Sequence, residues 1–297
     1  MSRPVLVTGG TGKTGRRLLM ALRARGVPAR AASRRPGQGR VHFDWTDRST
    51  WDAAVDGVGS AYLVAPSGIA DPVSVVIEFV EAAMARGVTR FVLLSASLVE
   101  AGGPGMGQVH QWLASSAAEW AVLRPSWFMQ NFSEGQHRAT IRDEHAIYTA
   151  AGTGRIPFIS ADDIAEAAAT VLTAAQAPNT DFVLTGAEAL SYDQVAARIS
   201  AAVGFTVTHE QISAEELVAR HMSAGLGETH AKTLAAMDVA VAQGAEDRTT
   251  PDLQHLIGRA PVSFSSFVAH NVAVWTDGRG VGARVAMSSR GDPRLLR

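Results

Sequence analysis

Pro4-Val5-Leu6-Val7-Thr8-Gly9-Gly10-Thr11-Gly12-Lys13-Thr14-Gly15, running straight into Arg16-Arg17-Leu18-Leu19-Met20-Ala21-Leu22, is the stretch on which the fold of this chain turns. A β-branched and apolar run breaks into glycines. Apolar residues then resume at spacings of three and four, which predicts strand, tight turn and helix. Gly9, Gly12 and Gly15 allow the turn, the approach of backbone to a pyrophosphate, and the packing of helix on strand. The helix N-terminus meanwhile offers free N–H groups to phosphate. The rival reading is the mononucleotide loop of ATPases, suggested by Gly12-Lys13-Thr14. It needs a glycine where this chain has Val7, and it fails on that position.

Outward from that turn, the composition narrows the possibilities. A chain of 297 residues, 46% apolar and with a formal net charge of -1, can bury a large core and has no basic surface suited to nucleic acid. No apolar run is long enough for a membrane span, and Met1-Ser2-Arg3 leads directly into the first strand, so a cytoplasmic protein without signal peptide is expected. The absence of cysteine excludes disulfides, thiol redox chemistry and cysteine-zinc sites. The nine histidines show no His-Glu-x-x-His spacing, and no metal is expected. Among 27 basic residues only Lys13 and Lys232 are lysines. The expected partner is a small-molecule substrate, with neither nucleic acid nor membrane, and the protein is expected to be a monomer or homodimer.

Beyond the first helix, Val27 to Ser33 reads as a second strand, and Ser33-Arg34-Arg35-Pro36-Gly37 as the loop that sets adenosine specificity. An acid there would bind a ribose 2′-hydroxyl, whereas arginines accommodate a 2′-phosphate, so NADPH is favoured over NADH. Further strands are expected at Val41 to Phe43, Ala61 to Pro66, Arg90 to Ser95 and Glu119 to Leu123. Helices are expected at Trp51 to Val55, after Asp71-Pro72, and at Met106 to Ser116. The aromatic, amide-rich run Trp127-Phe128-Met129-Gln130-Asn131-Phe132 then leaves the sheet on the crevice side. Asn131 to Pro157 breaks the alternation, Ser160 caps a helix reaching about Ala175, and Phe182 to Thr185 is a late strand. Helices at Tyr192 to Val203, Ala214 to Met222 and Glu228 to Ala242 follow, with a strand near Val207. The expected architecture is α/β: a Rossmann-type doubly wound parallel sheet over residues 1–130, with 156–190 returning to it. A smaller, mostly helical substrate domain takes 131–155 and 191–275, and 276–297 form a disordered tail.

Catalytic candidates are few. The tyrosines are Tyr62, Tyr148 and Tyr192, and none has a lysine four residues on, so the Tyr-x-x-x-Lys acid of ordinary short-chain dehydrogenases is missing. Ser95 ends a strand where such enzymes keep a substrate-facing hydroxyl, or else it caps the next turn. His110 lies on the helix where the tyrosine would be sought and could donate a proton, or it is simply packed. Trp127, Phe128 and Phe132 are either core or an acceptor-stacking surface, with Asn131 beside them. Glu134 and His137 have helical ligand spacing but no second pair to complete a metal site.

Several motifs in order carry a family resemblance: Thr8 to Gly15, Ser33-Arg34-Arg35-Pro36, Phe43-Asp44-Trp45, Tyr62 to Pro66, Leu93 to Ser97, Leu123 to Trp127 with Asn131-Phe132, and Ser160 to Ala165. Together, over residues 1–275, they resemble the NmrA-like branch of atypical short-chain dehydrogenases. Within it they most resemble the clavine (ergot-alkaloid) iminium reductases, with triphenylmethane reductase and NADPH quinone oxidoreductases as cousins. The resemblance implies that Gly9, Thr11, Gly12, Lys13, Thr14 and Gly15 form the pyrophosphate turn and that Arg34, in the Ser33-Arg34-Arg35 loop, meets the 2′-phosphate. It further implies that Asp44 and Trp45 meet the adenine, and Ala65, Pro66 and Ser95 the ribose and nicotinamide. An NADPH-dependent reductase of conjugated or cationic acceptors (iminium, quinone or dye-like) is the first reading. A non-catalytic NAD(P)-sensing regulator is the alternative, and an epimerase or dehydratase follows behind, handicapped by the missing tyrosine.

Overall fold

The computed structural model describes residues 3–35, 37, 39–66, 68–69 and 71–276. The first half mostly alternates strand and helix: β1 (Val5–Val7), α1 (Lys13–Ala24), β2 (Ala29–Ser33), β3 (Arg40–His42), α2 (Trp51–Val55), β4 (Ser60–Val64), α3 (Pro72–Ala85), β5 (Arg90–Leu94), α4 (Met106–Ser116) and β6 (Glu119–Pro125). The second half is more broken: α5 (Gln130–Ser133), α6 (His137–Asp143), β7 (Ala146–Thr149), β8 (Arg155–Ile156), α7 (Ala161–Thr173), β9 (Thr180–Leu184), β10 (Leu190–Ser191), α8 (Tyr192–Val203), β11 (Thr208–Gln211), α9 (Ala214–Ser223), α10 (Glu228–Ala242), α11 (Asp252–Ile257) and α12 (Phe264–Thr276).

Seven strands make one parallel sheet in the order β3-β2-β1-β4-β5-β6-β9. The chain steps outward from β1 first to one side and then, through β4, to the other. The carboxyl ends of β1 and β4 therefore flank the switch point where such a sheet opens a crevice. The central strands β1, β4 and β5 bury both faces, so their side chains alternate between two cores. Phe91 and Leu93 of β5 join Phe79 and Val80 of α3 and Leu113 of α4, whereas Val92 joins Leu18 of α1 and Ile164 and Ala168 of α7. A third core lies beyond the sheet, where Phe132, Phe158, Tyr192, Ile199, Phe264 and Trp275 gather elements from 129 onward.

Local chemistry explains the element ends. Asp71 caps α3 by accepting from the Ser74 amide at 3.1 Å, with Pro72 in the first turn where its missing N–H costs nothing. Ser191 and Ser213 open α8 and α9 with reciprocal capping boxes to Gln194 and Glu216. Some expectations need correction. The second strand starts at Ala29 rather than Val27, because Val27 closes the α1 turn by bonding the Leu22 carbonyl. The sixth extends to Pro125, since β9 pairs alongside it as far as Leu184. The interval 131–157, expected only to break the alternation, holds most of α5 together with α6, β7 and β8. Of the expected tail, 276–297, Thr276 instead ends α12, and residues 277–297 lie outside the described residues.

Candidate functional site

The crevice begins at Thr8, whose hydroxyl donates to the Tyr62 carbonyl and accepts from the Val64 amide, stitching the ends of β1 and β4 together. Gly9 then turns with φ +63°, and Gly12 closes the turn by donating to the Gly9 carbonyl at 2.8 Å. The glycines differ in what they make possible. A Cβ on Gly15 would lie 2.2 Å from the Gly9 carbonyl oxygen, and one on Gly10 2.9 Å from the Ala31 side chain. One on Gly12 would meet only the Gly9 oxygen, at 3.1 Å, and Gly12 has ordinary extended dihedrals. Gly15 and Gly10 thus serve helix-strand contact, while Gly12 leaves the space in front of α1 clear. No side chain caps α1, so its first N–H groups face that space.

The turn opens into a cavity of about 740 Å³ that Gly9, Thr11 and Gly12 share with the loops after β2 and β4. Ser33, Arg34 and Arg35 line it, the Ser33 hydroxyl accepting from the Arg35 amide at 3.1 Å to shape the loop. Arg40, the first residue of β3, lines it as well. Sequence reading missed Arg40. The available signal was a third arginine close behind the Arg34-Arg35 pair, opening the strand that returns alongside β2. Asp44 Oδ1 accepts from the Thr46 amide and hydroxyl at 2.9 and 2.8 Å, and these bonds, with a smaller contribution from Arg34, hold its carboxyl below the usual range. Trp45 is set edge-on to Phe43 and Phe79 at 5.0 and 5.1 Å and also lines the cavity, with Ala65 and Pro66 opposite.

Ser95 follows β5 next along the sheet. Its amide donates to the Leu123 carbonyl at 2.8 Å, and its Oγ is buried without a hydrogen-bond partner. His110 is not gathered with these groups. It is 4% exposed on α4, and its ring packs 5.7 Å from that of Trp120, near the amino end of β6 and thus toward the end of the sheet away from the crevice. Burial lowers its pKa, as does Arg124, against the opposite pull of Asp181. The tyrosines are no better acids, since burial pushes the phenols of Tyr62 and Tyr192 up.

After β6, and outside the residues that line the cavity, Trp127 is half-buried against the third core and Phe128 against the sheet core, so each keeps a partly open ring. Phe132 is wholly buried and belongs to the core. Asn131, on α5, accepts from the Lys13 ammonium at 3.2 Å, which joins the first residue of α1 to the segment that carries Trp127 and Phe128. Glu134 receives Arg16 and Arg17, and Arg17 also reaches Asp162 at the start of α7. His137 is buried and stacked on Phe132 at 5.2 Å. Glu134 and His137 therefore do not converge, and among the described residues no cluster of ligating groups could hold a metal ion.

A glycine turn at the head of a helix, a switch-point crevice and an arginine-lined recess are the parts of a Rossmann fold of the dinucleotide-binding type. Residues 1–259 match the model of the NmrA-like family, and the chain belongs to that family. It is similar to agroclavine dehydrogenase of Claviceps fusiformis, with 40% identity over 91% of this chain and 98% of the relative. Among solved structures it resembles an NADPH-dependent quinone oxidoreductase from Escherichia coli complexed with NADPH (TM-score 0.76, 25% identity, 90% of this chain and 99% of that one). It also resembles the Citrobacter sp. triphenylmethane reductase complexed with NADP(H) (TM-score 0.75, 25% identity, 90% and 99%). With these relatives, the protein is an NAD(P)H-dependent oxidoreductase. No helix among the described residues is long and apolar enough to cross a membrane.

Proposed function

We propose that this protein is a cytoplasmic NADPH-dependent reductase of flat acceptors that are cationic or extensively conjugated, such as an iminium ion, a triarylmethane dye or a quinone. The carrying observation is a cavity in which the glycine turn meets Arg34, Arg35 and Arg40, with no phenol prepared to protonate an alkoxide. A dinucleotide suits that cavity. The absent Cβ of Gly12 and the uncapped N-terminus of α1 accept a pyrophosphate, and the arginines suit a 2′-phosphate through charge-assisted bonds. Trp45 offers an aromatic surface and Asp44 an acceptor oxygen to an adenine.

When bound, the reduced nicotinamide supplies a hydride. The chain's own task is then positioning: Ala65, Pro66 and Ser95 border the reactive end, and Trp127 and Phe128 offer the flat surface against which an acceptor is held. An iminium ion or cationic dye loses its charge on reduction and develops no oxyanion, so it needs no acid from the protein. A simple ketone would need one, and neither His110, packed on Trp120, nor the buried Tyr62 and Tyr192 is suited to provide it. The names of the relatives support this acceptor class, spanning a clavine dehydrogenase, a quinone reductase and a dye reductase. Steady-state oxidation of NADPH against a panel of cyclic iminium salts, dyes, quinones and unactivated ketones tests the proposal. Turnover of charged or conjugated acceptors without ketones is expected, and ketones turned over equally fast would refute it.

A further inference from the structure

Lys13 is an unusual choice in a chain that otherwise uses arginine, apart from Lys232 paired to Glu228 on the surface of α10. It is the first residue of α1, at the helix end that would receive the pyrophosphate. Its ammonium does not rest on a carboxylate. Glu134, the nearest acid, already holds Arg16 and Arg17, and the direct partner of Nζ is the neutral side-chain carbonyl of Asn131. Gly135 leaves the ammonium room, since a Cβ there would stand 3.2 Å from Nζ. Nζ carries three donors, and one amide oxygen uses one of them. A partly buried cation with a neutral partner is poised for an anion.

We propose that Lys13 is a tether gated by the dinucleotide: without it the ammonium holds α5 through Asn131, and a bound pyrophosphate takes the ammonium over and frees the Asn131 side chain toward the acceptor space. This rests on the glycine turn as the NADPH site and on the 127–131 wall as the acceptor site. Cofactor would bind first, and its arrival would reshape the acceptor wall. Burial lowers the ammonium pKa, with Glu134 opposing and Arg16 and Arg17 adding to the lowering, so a phosphate partner would favour the charged form. Lys13 and Asn131 are on this account positioning residues.

The first arm titrates NADPH into the unmodified protein. Absence of binding would remove both the site and the tether, whereas binding leaves the tether to be judged alone. Hydrogen exchange of residues 130–135 should speed up when NADPH is added; unchanged or slowed exchange would overturn the tether while leaving the site intact. Asn131→Ala should bind NADPH roughly threefold tighter, because the competing contact is gone, and Lys13→Met roughly tenfold weaker. A contact of purely structural value would give equal or weaker binding in Asn131→Ala, and that outcome refutes the proposal. The thermal-midpoint losses of the two single variants should be non-additive in Lys13→Met/Asn131→Ala without NADPH and additive at saturation. Non-additivity that persists at saturation contradicts it.

Discussion

Gly12 and Gly15 stand in one turn, yet a methyl group would meet different surroundings at each. At Gly15 it would drive into the backbone carbonyl of Gly9 at 2.2 Å, so Gly15→Ala should cost about 3 kcal/mol, the upper end of the usual overpacking range, and lower the melting temperature sharply. Gly12→Val should melt far closer to the unmodified protein than Gly15→Ala and yet fail to bind NADPH in a titration, because its Cβ meets only the Gly9 oxygen, at 3.1 Å, while the rest of the side chain obstructs the approach to the turn. Arg34→Ala and Arg40→Ala should each weaken NADPH roughly tenfold and leave NADH affinity unchanged, which parallel titrations would show. The turn and Arg34 were legible because local spacing alone encodes strand, glycine and helix. Arg40 was not, since its place beside Arg34 depends on β3 lying parallel to β2 in the register Ala31 to Arg40.

At the level of elements, α4 illustrates what periodicity can and cannot say. Its bounds, Met106 to Ser116, agree with the sequence reading, but which face His110 presents was open until the helix had neighbours. The ring packs on Trp120, away from the cavity. His110→Ala should therefore lower stability by about 1–3 kcal/mol in a denaturant melt while leaving turnover of a cationic acceptor within about twofold. Loss of turnover with stability intact would return His110 to the chemistry. The short strands β8 and β10 were invisible for a different reason. Two residues cannot display alternation, and their pairing of Leu190 with Ile156 joins segments far apart in sequence. In the same way Asn131 read as an amide near aromatics, and only tertiary contact revealed Lys13 as its partner.

At the scale of the whole molecule, the third core holds a buried histidine that ties stability to pH. Burial, aided by His221 and His209, pushes the His137 pKa down to about 3, below its ordinary 6.5. An unfolded chain takes up a proton below pH 6.5 that the folded one refuses. Its share of stability is thus complete above pH 6.5 and falls by about 1.4 kcal/mol per pH unit toward pH 3. Asp238, which accepts from the Ala150 amide, works the other way: burial raises its carboxyl from 3.8 to about 6, so the folded state gains a proton between those values. Asp238→Asn should therefore lose stability more steeply than the unmodified protein between pH 6 and 4, as chemical denaturation at a series of pH values would measure. Equal slopes would mean that the carboxyl is not protonated in the fold.

The glycine turn, the arginine-lined cavity and the Trp127–Phe128 segment all follow the carboxyl ends of the parallel strands. The most direct test of the proposed chemistry is the initial rate of NADPH oxidation with a permanently cationic dye or cyclic iminium salt, set beside that with an unactivated ketone. The account predicts turnover of the cation and none of the ketone above background. NADPH binding without oxidation by any acceptor in the panel, or a ketone rate equal to that of the cation, would contradict it.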